Sequence, residues 1–436
     1  MKIKKIRLFL ITIVITMLNI NFTYATPNVV APNAILIDYE TGEILYEKNA
    51  YEVTYPASTT KILTAIVTLE NAKLDDVVKV DYDFYVGGAS MYILKGESFT
   101  VEELLQALIV RSANDAAEVL ARHISGSVEE FSKLMNKRAL ELGAKNTNFT
   151  NPHGMPDDAH VTSAYDLAVI ARHAMSFEVF RNIVKMPTVS FAPTEFTPET
   201  RYYRTSNKFL WGTGSGNQML YNGKYVNIKY DIVDGIKTGY TGKAGNCLVS
   251  SATKDGHRLI AVVLGAQTSV FSDSRSMLDY GYDNFQSLLL TEENHLEYEA
   301  KVNGGEENTI SLYTSNRLTK VLPHYTDTAG IIKDVVINEN IVAPITQGDK
   351  LGKVVYYLNN DIIGEVDLVA TKDIDKKGFL SMPKGGILKN ISIFILVVLL
   401  WQILIAYLRV QKRRRRLSFG VGKSSYSMSK SLLKKR

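Results

Sequence analysis

The sequence has 436 residues, which is long enough for two or three domains and at least one large hydrophobic core. With 46% apolar and 22% charged residues, the composition excludes a largely disordered chain. The single cysteine, Cys247, excludes a disulfide framework within the chain and a zinc site built on cysteines.

The N-terminal segment has the three parts of a secretory signal peptide. Residues 2–7 are basic, an apolar run begins at Leu8, and Thr23 and Ala25 place small residues where a signal peptidase cleaves. We therefore predict a signal peptide over residues 1–25. An uncleaved N-terminal anchor is the alternative, but the apolar run is short for a membrane span.

The next part of the chain predicts two strands followed by helices. Residues 33–49 read as two short strands around a turn, and the pattern from Thr59 to about Ser176 is helical. Within this stretch, Thr100 and Glu103 have the spacing of a capping box that begins a helix.

Strands return toward the end of this region. Residues 247–266 contain two strands around an Asp255-Gly256 hairpin turn, and residues 272–290 predict a closing helix. Strands from both ends thus flank a long helical insertion. This pattern indicates an α/β domain over residues 26–290, with a sheet assembled from distant segments.

Residues 291–380 have a different character. Alternating apolar runs are separated there by Gly, Asn and Pro, which predicts a smaller all-β domain. Nothing in this segment resembles a catalytic constellation, so a spacer or a docking surface is the expected role.

The C-terminal part predicts a membrane anchor. Residues 391–408 are an apolar run that spans about 27 Å as a helix, close to the hydrocarbon thickness of about 30 Å. Arg409 and the basic cluster at residues 412–416 follow. The positive-inside rule places the tail, residues 409–436, in the cytoplasm and the preceding domains outside it.

The two ends also explain the net charge. The formal charge of the chain is +5, but residues 26–408 carry 35 basic against 45 acidic side chains, a balance of −10. The positive net charge therefore comes from the two basic ends, which we attribute to the orientation of the chain in the membrane. It is not evidence for a nucleic-acid partner, and we expect none.

The first chemical pattern is "YPASTTK", in which Ser58 and Lys61 are three residues apart at the start of a helical stretch. This spacing lets the lysine amine reach the serine hydroxyl on one face of the helix. A serine needs a base to act as a nucleophile at neutral pH, and a lysine becomes that base when burial and a second cation lower its pKa. An exposed lysine beside a capping serine is the alternative.

Two further patterns favour the catalytic interpretation. Ser112 and Asn114 form an S-x-N triplet, in which the hydroxyl can pass a proton and the amide can hydrogen-bond a substrate. Lys237, Thr238 and Gly239 form a K-T-G triplet, which offers a cation, a hydroxyl and room for a substrate backbone. The three patterns in this order are the signature of β-lactamases and penicillin-binding proteins.

The chain resembles the serine-type D-alanyl-D-alanine carboxypeptidases, which are low-molecular-weight penicillin-binding proteins. "YPASTTKILTA", "SANDAA", "LGAKNTNFTNPHGM" and "DGIKTGYTGKAGNCLVSSATKDGHRLIAVVLGA" carry the resemblance, which covers about residues 28–380. It implies a penicillin-binding/β-lactamase-like α/β domain, with an antiparallel sheet and a helical insertion, before a small all-β domain and the membrane helix.

The resemblance also implies roles for the residues that match. Ser58 is expected to be the acylated nucleophile and Lys61 the proton acceptor, with Ser112 and Asn114 on the opposite wall. Lys237 and Thr238 are expected to hold the terminal carboxylate of the substrate. The backbone N–H groups of Ser58 and Tyr240 would form the oxyanion hole.

One departure concerns carboxylate binding. Many relatives carry an arginine shortly after the "LGA" strand, where this chain has Val270. Either Lys237 and Thr238 make the contact unaided, or Arg275 substitutes for the missing arginine, which we do not favour. The anchor departs as well, because relatives often use an amphipathic helix.

Other functions have weaker support. A class A β-lactamase needs a glutamate in E-x-x-L-N, and "ELGAKN" at Glu141 has a different spacing. A transpeptidase or endopeptidase could use the same residues. His153, Asp157 and His160 could be mistaken for metal ligands, but no H-E-x-x-H accompanies them. A non-catalytic wall-binding protein would not require an intact S-x-x-K.

We therefore expect a membrane-anchored enzyme with an extracytoplasmic catalytic domain and no cofactor or metal. Its expected partners are peptidoglycan stem peptides ending in D-Ala-D-Ala, β-lactam antibiotics, and the membrane.

Overall fold

The computed structural model describes residues 26–378 and 386–420. The predicted signal peptide and the end of the basic tail lie outside these residues. The described residues divide into two units. Unit 1 comprises residues 26–292, 317–332 and 356–364, and unit 2 comprises residues 293–316, 333–355 and 365 onward.

The helices are α1 (Lys61–Asn71), α2 (Val101–Gln106), α3 (Asn114–Ser125), α4 (Val128–Glu141), α5 (Ala164–Ala174), α6 (Glu178–Val184), α7 (Val270–Asn284) and α8 (Gly386–Gly420). The strands are β1 (Asn33–Asp38), β2 (Ile44–Lys48), β3 (Val77–Lys79), β4 (Ser98–Thr100), β5 (Thr188–Phe191), β6 (Arg201–Arg204), β7 (Gln218–Tyr221), β8 (Lys224–Asn227), β9 (Val233–Thr241), β10 (Gly245–Lys254), β11 (His257–Ala266), β12 (Phe285–Thr291), β13 (Leu296–Lys301), β14 (Thr309–Thr314), β15 (Leu318–Pro323), β16 (Ile332–Ile337), β17 (Lys350–Leu358) and β18 (Asp361–Ala370).

The central sheet of unit 1 joins strands from both ends of the helical insertion, as predicted. Its order is β2-β1-β11-β10-β9, and β1 pairs with β11 in antiparallel register, Ile35 opposite Val262. All six residues of β1 are buried. A strand that is apolar on both faces must be covered on both faces.

Two hydrophobic clusters cover the two faces of this sheet. On one side, Ile35 and Val262 pack in a cluster that includes residues of α1, α3 and α5. On the other side, Leu36 and Val263 pack with Met277 of α7. The result is a three-layer arrangement. The segments next to the three sequence patterns, at Ala57, Ala113 and Ile236, pack on the side of the helical insertion.

The helical insertion is less continuous than the sequence pattern predicts. The capping box of Thr100 and Glu103 is present, and it begins α2. However, α1 and α2 are separated by the β3–β4 ribbon, and residues 142–163 between α4 and α5 are largely irregular. These irregular segments supply backbone groups to the site.

The predicted closing helix over residues 272–290 is wrong in its last part. α7 ends at Asn284, whose side-chain amide donates to the carbonyl of Tyr280, and residues 285–291 form β12. β12 pairs with β15, for example Ser287 opposite Val321. A short apolar run fits either period, so strand pairing with a distant segment decides its structure.

Unit 2 contains a five-stranded sheet in the order β13-β14-β18-β17-β16, which agrees with the predicted all-β segment. Its buried side chains include Ile310, Leu312, Val354 and Leu368. α8 contains the stretch Ile391–Arg414, 24 residues with a mean hydropathy of 2.7, which is long and apolar enough to cross a membrane.

Candidate active site

The turn that carries Ser58 is held between two glycines. Ser58 lies in the 3-10 turn Ala57–Thr60, directly before α1. A Cβ atom added at Gly154 would lie 1.8 Å from the carbonyl oxygen of Ala57, and one added at Gly239 would lie 3.0 Å from the backbone nitrogen of Ser58. Only residues without a side chain allow this approach, which places strand β9 directly beside the serine.

Lys61 contacts Ser58 from the first turn of α1. The side chain is fully buried, and its Nζ donates to Ser58 Oγ at 3.0 Å, to Asn114 Oδ1 at 2.7 Å and to the carbonyl of His153 at 2.6 Å. All three acceptors are neutral. Burial, and then the nearby ammonium of Lys237, hold the pKa of Lys61 well below its usual range, with partial opposition from Asp115. The lowered pKa favours the neutral amine, which is the form that the predicted role of proton acceptor requires.

Ser112 and Asn114 have different positions relative to this amine. The π-helical turn Ala107–Arg111 ends at Ser112, whose φ of 62° is left-handed and costs about 1 kcal/mol or more for a residue with a Cβ atom. Ser112 lines the cleft but forms no hydrogen bond with Lys61 or Ser58 in the described part of the chain.

Both ends of the Asn114 amide are engaged within the protein. Its oxygen accepts from Lys61, and its nitrogen donates to the carbonyl of Gly87 at 2.6 Å. In this structure Asn114 therefore positions the lysine amine. Its contact with a substrate amide stays a prediction.

Strand β9 carries the third pattern. Lys237 is 2% exposed, and its Nζ donates to the carbonyl of Thr238 at 2.9 Å. Burial lowers the pKa of Lys237 to about 7. The hydroxyl of Thr238 forms a hydrogen bond with that of Ser206, and Tyr240 is mostly exposed.

The three patterns meet at one cleft of about 370 Å³. Five of the predicted residues line it, namely Ser58, Ser112, Thr238, Gly239 and Tyr240. The other three, Lys61, Asn114 and Lys237, are buried beneath it. The structure thus brings together residues that are up to 182 positions apart in the sequence, from Ser58 to Tyr240.

Sequence reasoning missed part of the cleft lining. Arg111, Arg204 and Ser206 line the cleft, although none of them belongs to a recognised pattern. Val270 lines it as well, whereas Arg275 stacks over the ring of Tyr230 at 4.3 Å and is not part of the lining.

His153 and His160, which the sequence offered as possible metal ligands, pack around the turn that carries Ser58. The His153 carbonyl accepts from Lys61, and His160 Nε2 lies 2.8 Å from Thr60 Oγ1. Burial lowers the pKa of His160 to about 3, so this ring is neutral. Within residues 26–378 and 386–420, no group of three or more residues is arranged to hold a metal ion.

Comparison with known proteins agrees with this geometry. The family described as D-alanyl-D-alanine carboxypeptidase matches residues 20–268, and the C-terminal domain of penicillin-binding protein 5 matches residues 285–376. The chain is 35% identical to D-alanyl-D-alanine carboxypeptidase DacF of Bacillus subtilis, over 81% of this chain and 88% of that one.

Solved structures give the same picture. Penicillin-binding protein 5 from Haemophilus influenzae has a TM-score of 0.65 and 29% identity, over 81% of this chain and all of that chain. A DD-transpeptidase from Streptomyces has a TM-score of 0.51 and 28% identity, over 59% of this chain and 99% of that chain. These matches confirm the predicted fold class and the predicted family resemblance.

The buried charge of Lys237 predicts a specific pH dependence of stability. Between its pKa of about 7 in the folded protein and about 10.4 in the unfolded chain, the folded state binds fewer protons. The stability of the unmutated protein relative to Lys237→Met should therefore rise between about pH 7 and pH 10, as measured by denaturant unfolding. Exposed Lys79→Met is the control for losing a lysine. A pH-independent difference for Lys237→Met would contradict the lowered pKa.

Proposed function

Because the chain belongs to the D-alanyl-D-alanine carboxypeptidase family, we propose that it removes the terminal D-alanine from peptidoglycan stem pentapeptides through an acyl-enzyme on Ser58. The observation that carries this proposal is the 3.0 Å contact between Ser58 Oγ and the amine of Lys61, which is fully buried and contacts no carboxylate of the described residues. A serine hydroxyl acquires nucleophilic character from such a neighbouring base.

Acylation starts with transfer of the Ser58 proton to Lys61. The serine oxygen attacks the carbonyl carbon of the penultimate D-alanine, and the negative charge develops on the carbonyl oxygen. The backbone N–H groups of Ser58 and Tyr240 are proposed to donate to this oxygen. Gly239 supports this role, because its close approach to Ser58 places the two segments side by side.

Collapse of the tetrahedral intermediate breaks the peptide bond. The leaving nitrogen takes up the hydroxyl proton of Ser112, which lines the cleft, and Ser112 recovers a proton from the protonated Lys61. This relay returns Lys61 to its neutral form. Terminal D-alanine departs, and the remaining peptide stays as an ester on Ser58. Water then attacks this ester with Lys61 as base, which releases the shortened peptide and restores the serine.

The terminal carboxylate is proposed to bind at the K-T-G wall. The hydroxyl of Thr238 lines the cleft, and the Lys237 amine lies beneath it. Lys237 contacts no carboxylate among the described residues, so an incoming carboxylate would stabilise its protonated form. This wall suits a substrate that ends one residue after the scissile bond.

Transpeptidation is the second candidate, because the similar Streptomyces structure is a DD-transpeptidase. An amine acceptor and water compete for the same acyl-enzyme, so both reactions are compatible with these residues. Endopeptidase or weak β-lactamase activity would use the same serine. Product analysis with and without an amine acceptor separates hydrolysis from transfer.

The location of the enzyme is part of the proposal. We infer that residues 1–25 direct export, that residues 26–290 form the catalytic domain and that residues 291–380 act as a spacer or docking domain. Residues 391–408 would span the membrane, with residues 409–436 inside. The apolar stretch of α8 supports this topology.

The first test of the mechanism is acylation by penicillin. A fluorescent penicillin should label the protein, and mass spectrometry should place the adduct on the peptide that contains Ser58. Ser58→Ala should abolish labelling, while Thr59→Ser, which alters a buried neighbour, serves as the control. An adduct on another residue would refute the assignment of the nucleophile.

A second test addresses the base. Lys61→Ala should lower the acylation rate about 10²-fold or more, because a general base contributes on this scale. EDTA should leave the rate unchanged. If EDTA abolished activity and zinc restored it, a metal-dependent mechanism would replace the one proposed.

The third test concerns topology. Deleting the chain from Lys389 onward, with the signal retained, should release an active soluble enzyme, because α8 supplies the anchor. Cell fractionation and penicillin labelling measure this directly. Retention of the truncated protein in membranes would mean that the N-terminal segment acts as an uncleaved anchor.

A further inference from the structure

The catalytic cleft contains two guanidinium groups without a carboxylate partner. Arg111 and Arg204 both line it, whereas no aspartate or glutamate of the described residues does. Neither arginine forms an ion pair within residues 26–378 and 386–420. Other arginines, such as Arg138 beside Glu70 and Arg201 beside Glu97, do form ion pairs.

Aromatic rings hold both guanidinium groups in place. Arg111 Cζ lies 4.9 Å from the centroid of the Tyr203 ring, and its Nε donates to the carbonyl of Ser90 at 3.0 Å. Arg204 Cζ lies 4.8 Å from the centroid of the Trp211 ring. Stacking orients the planar group without neutralising its charge, so N–H groups at its edge stay available for an anion.

The two arginines reach the cleft from two segments that pack together. Arg204 ends β6, two residues before Ser206, whose hydroxyl bonds that of Thr238 of the K-T-G triplet. Arg111 ends the π-helical turn, directly before Ser112, and stacks on Tyr203 of β6. One terminal carboxylate bound at the K-T-G triplet would leave the Arg111 guanidinium without an anion.

The positive charge of the cleft differs in sign from the net charge of the chain between its two basic ends. Residues 26–408 have a net charge of −10, yet the two charged side chains in the described cleft lining are both arginines. A cleft lined by one sign of charge concentrates ligands of the opposite sign. Planar guanidinium groups match carboxylates in particular, because two parallel N–H donors meet two oxygens.

We propose that this cleft selects stem peptides that carry two carboxylates. Arg204 joins Thr238 and Lys237 in binding the terminal carboxylate, and Arg111 binds a second, free carboxylate on one of the two residues that precede D-Ala-D-Ala. This proposal rests on the proposed function and names its substrate class, which is acidic stem peptides in preference to amidated ones.

The test uses the full chain in detergent and matched synthetic pentapeptides ending in D-Ala-D-Ala. One pair carries a carboxylate or its carboxamide at the second residue, and another pair does so at the third residue. For the unmutated enzyme, kcat/KM should be about tenfold or more higher for the acid than for the amide in at least one pair, the scale of a charge-assisted hydrogen bond. Equal turnover within both pairs would overturn the proposal without any variant.

Two variants then assign the contacts. Arg111→Gln should bring the acid-to-amide ratio to about 1 while the preference for a free over an amidated C-terminus persists. Arg204→Gln should reduce the C-terminal preference while the acid-to-amide ratio persists. If both variants changed only the C-terminal preference, both arginines would bind one carboxylate, and the two-carboxylate proposal would be wrong.

Controls separate this inference from the proposed function and from misfolding. Penicillin labelling of Ser58 in the unmutated protein reports on the proposed function, so labelling combined with an acid-to-amide ratio of 1 overturns only this inference. Thermal unfolding of each variant identifies a folding defect. Arg111→Lys should restore part of the ratio, because it returns the charge without the paired donors.

Discussion

The buried amine of Lys61 is the interaction on which the active site depends. Its three hydrogen bonds reach Ser58 on the same helical turn, Asn114 at the start of α3 and the backbone carbonyl of His153 in the irregular segment after α4. Three distant parts of the chain thus converge on one nitrogen atom. Burial, and then the nearby Lys237, destabilise the charged form of this amine, and no carboxylate of the described residues contacts it. Holding the amine in this environment costs folding stability.

The rest of the fold brings other segments close to this amine. The two-sided core fixes the central sheet, and the sheet fixes β9, whose Gly239 touches the serine turn. Gly154 packs against the same turn. A side chain at either glycine would displace Ala57 or Ser58, so backbone packing sets the position of Ser58 as much as its own side-chain contacts do.

Much of this arrangement could be predicted from the sequence, because each of the three patterns is a short run of residues that can be recognised without knowledge of the tertiary structure. The split sheet and the long apolar helix α8 could also be predicted, since both follow from hydrophobic periodicity and length. The extent of the closing helix could not, because the apolar residues 285–290 pair with a distant strand. The acceptor role of His153 was equally hidden, since it uses a backbone carbonyl that any residue would provide. Arg111 and Arg204 become cleft residues only through tertiary packing.

The position of β9 at the end of the sheet order has a consequence beyond catalysis. In the described chain, the five-stranded sheet has no strand on the outer side of β9, although the Thr238 carbonyl accepts from the Lys237 amine. Proteins normally blunt such an edge, because it invites aggregation. An extended peptide could add to this edge as a sixth strand, held by main-chain hydrogen bonds. A segment that covered this edge would protect it from aggregation but would also block a peptide from binding there. Solubility and access to the cleft therefore make opposite demands on β9.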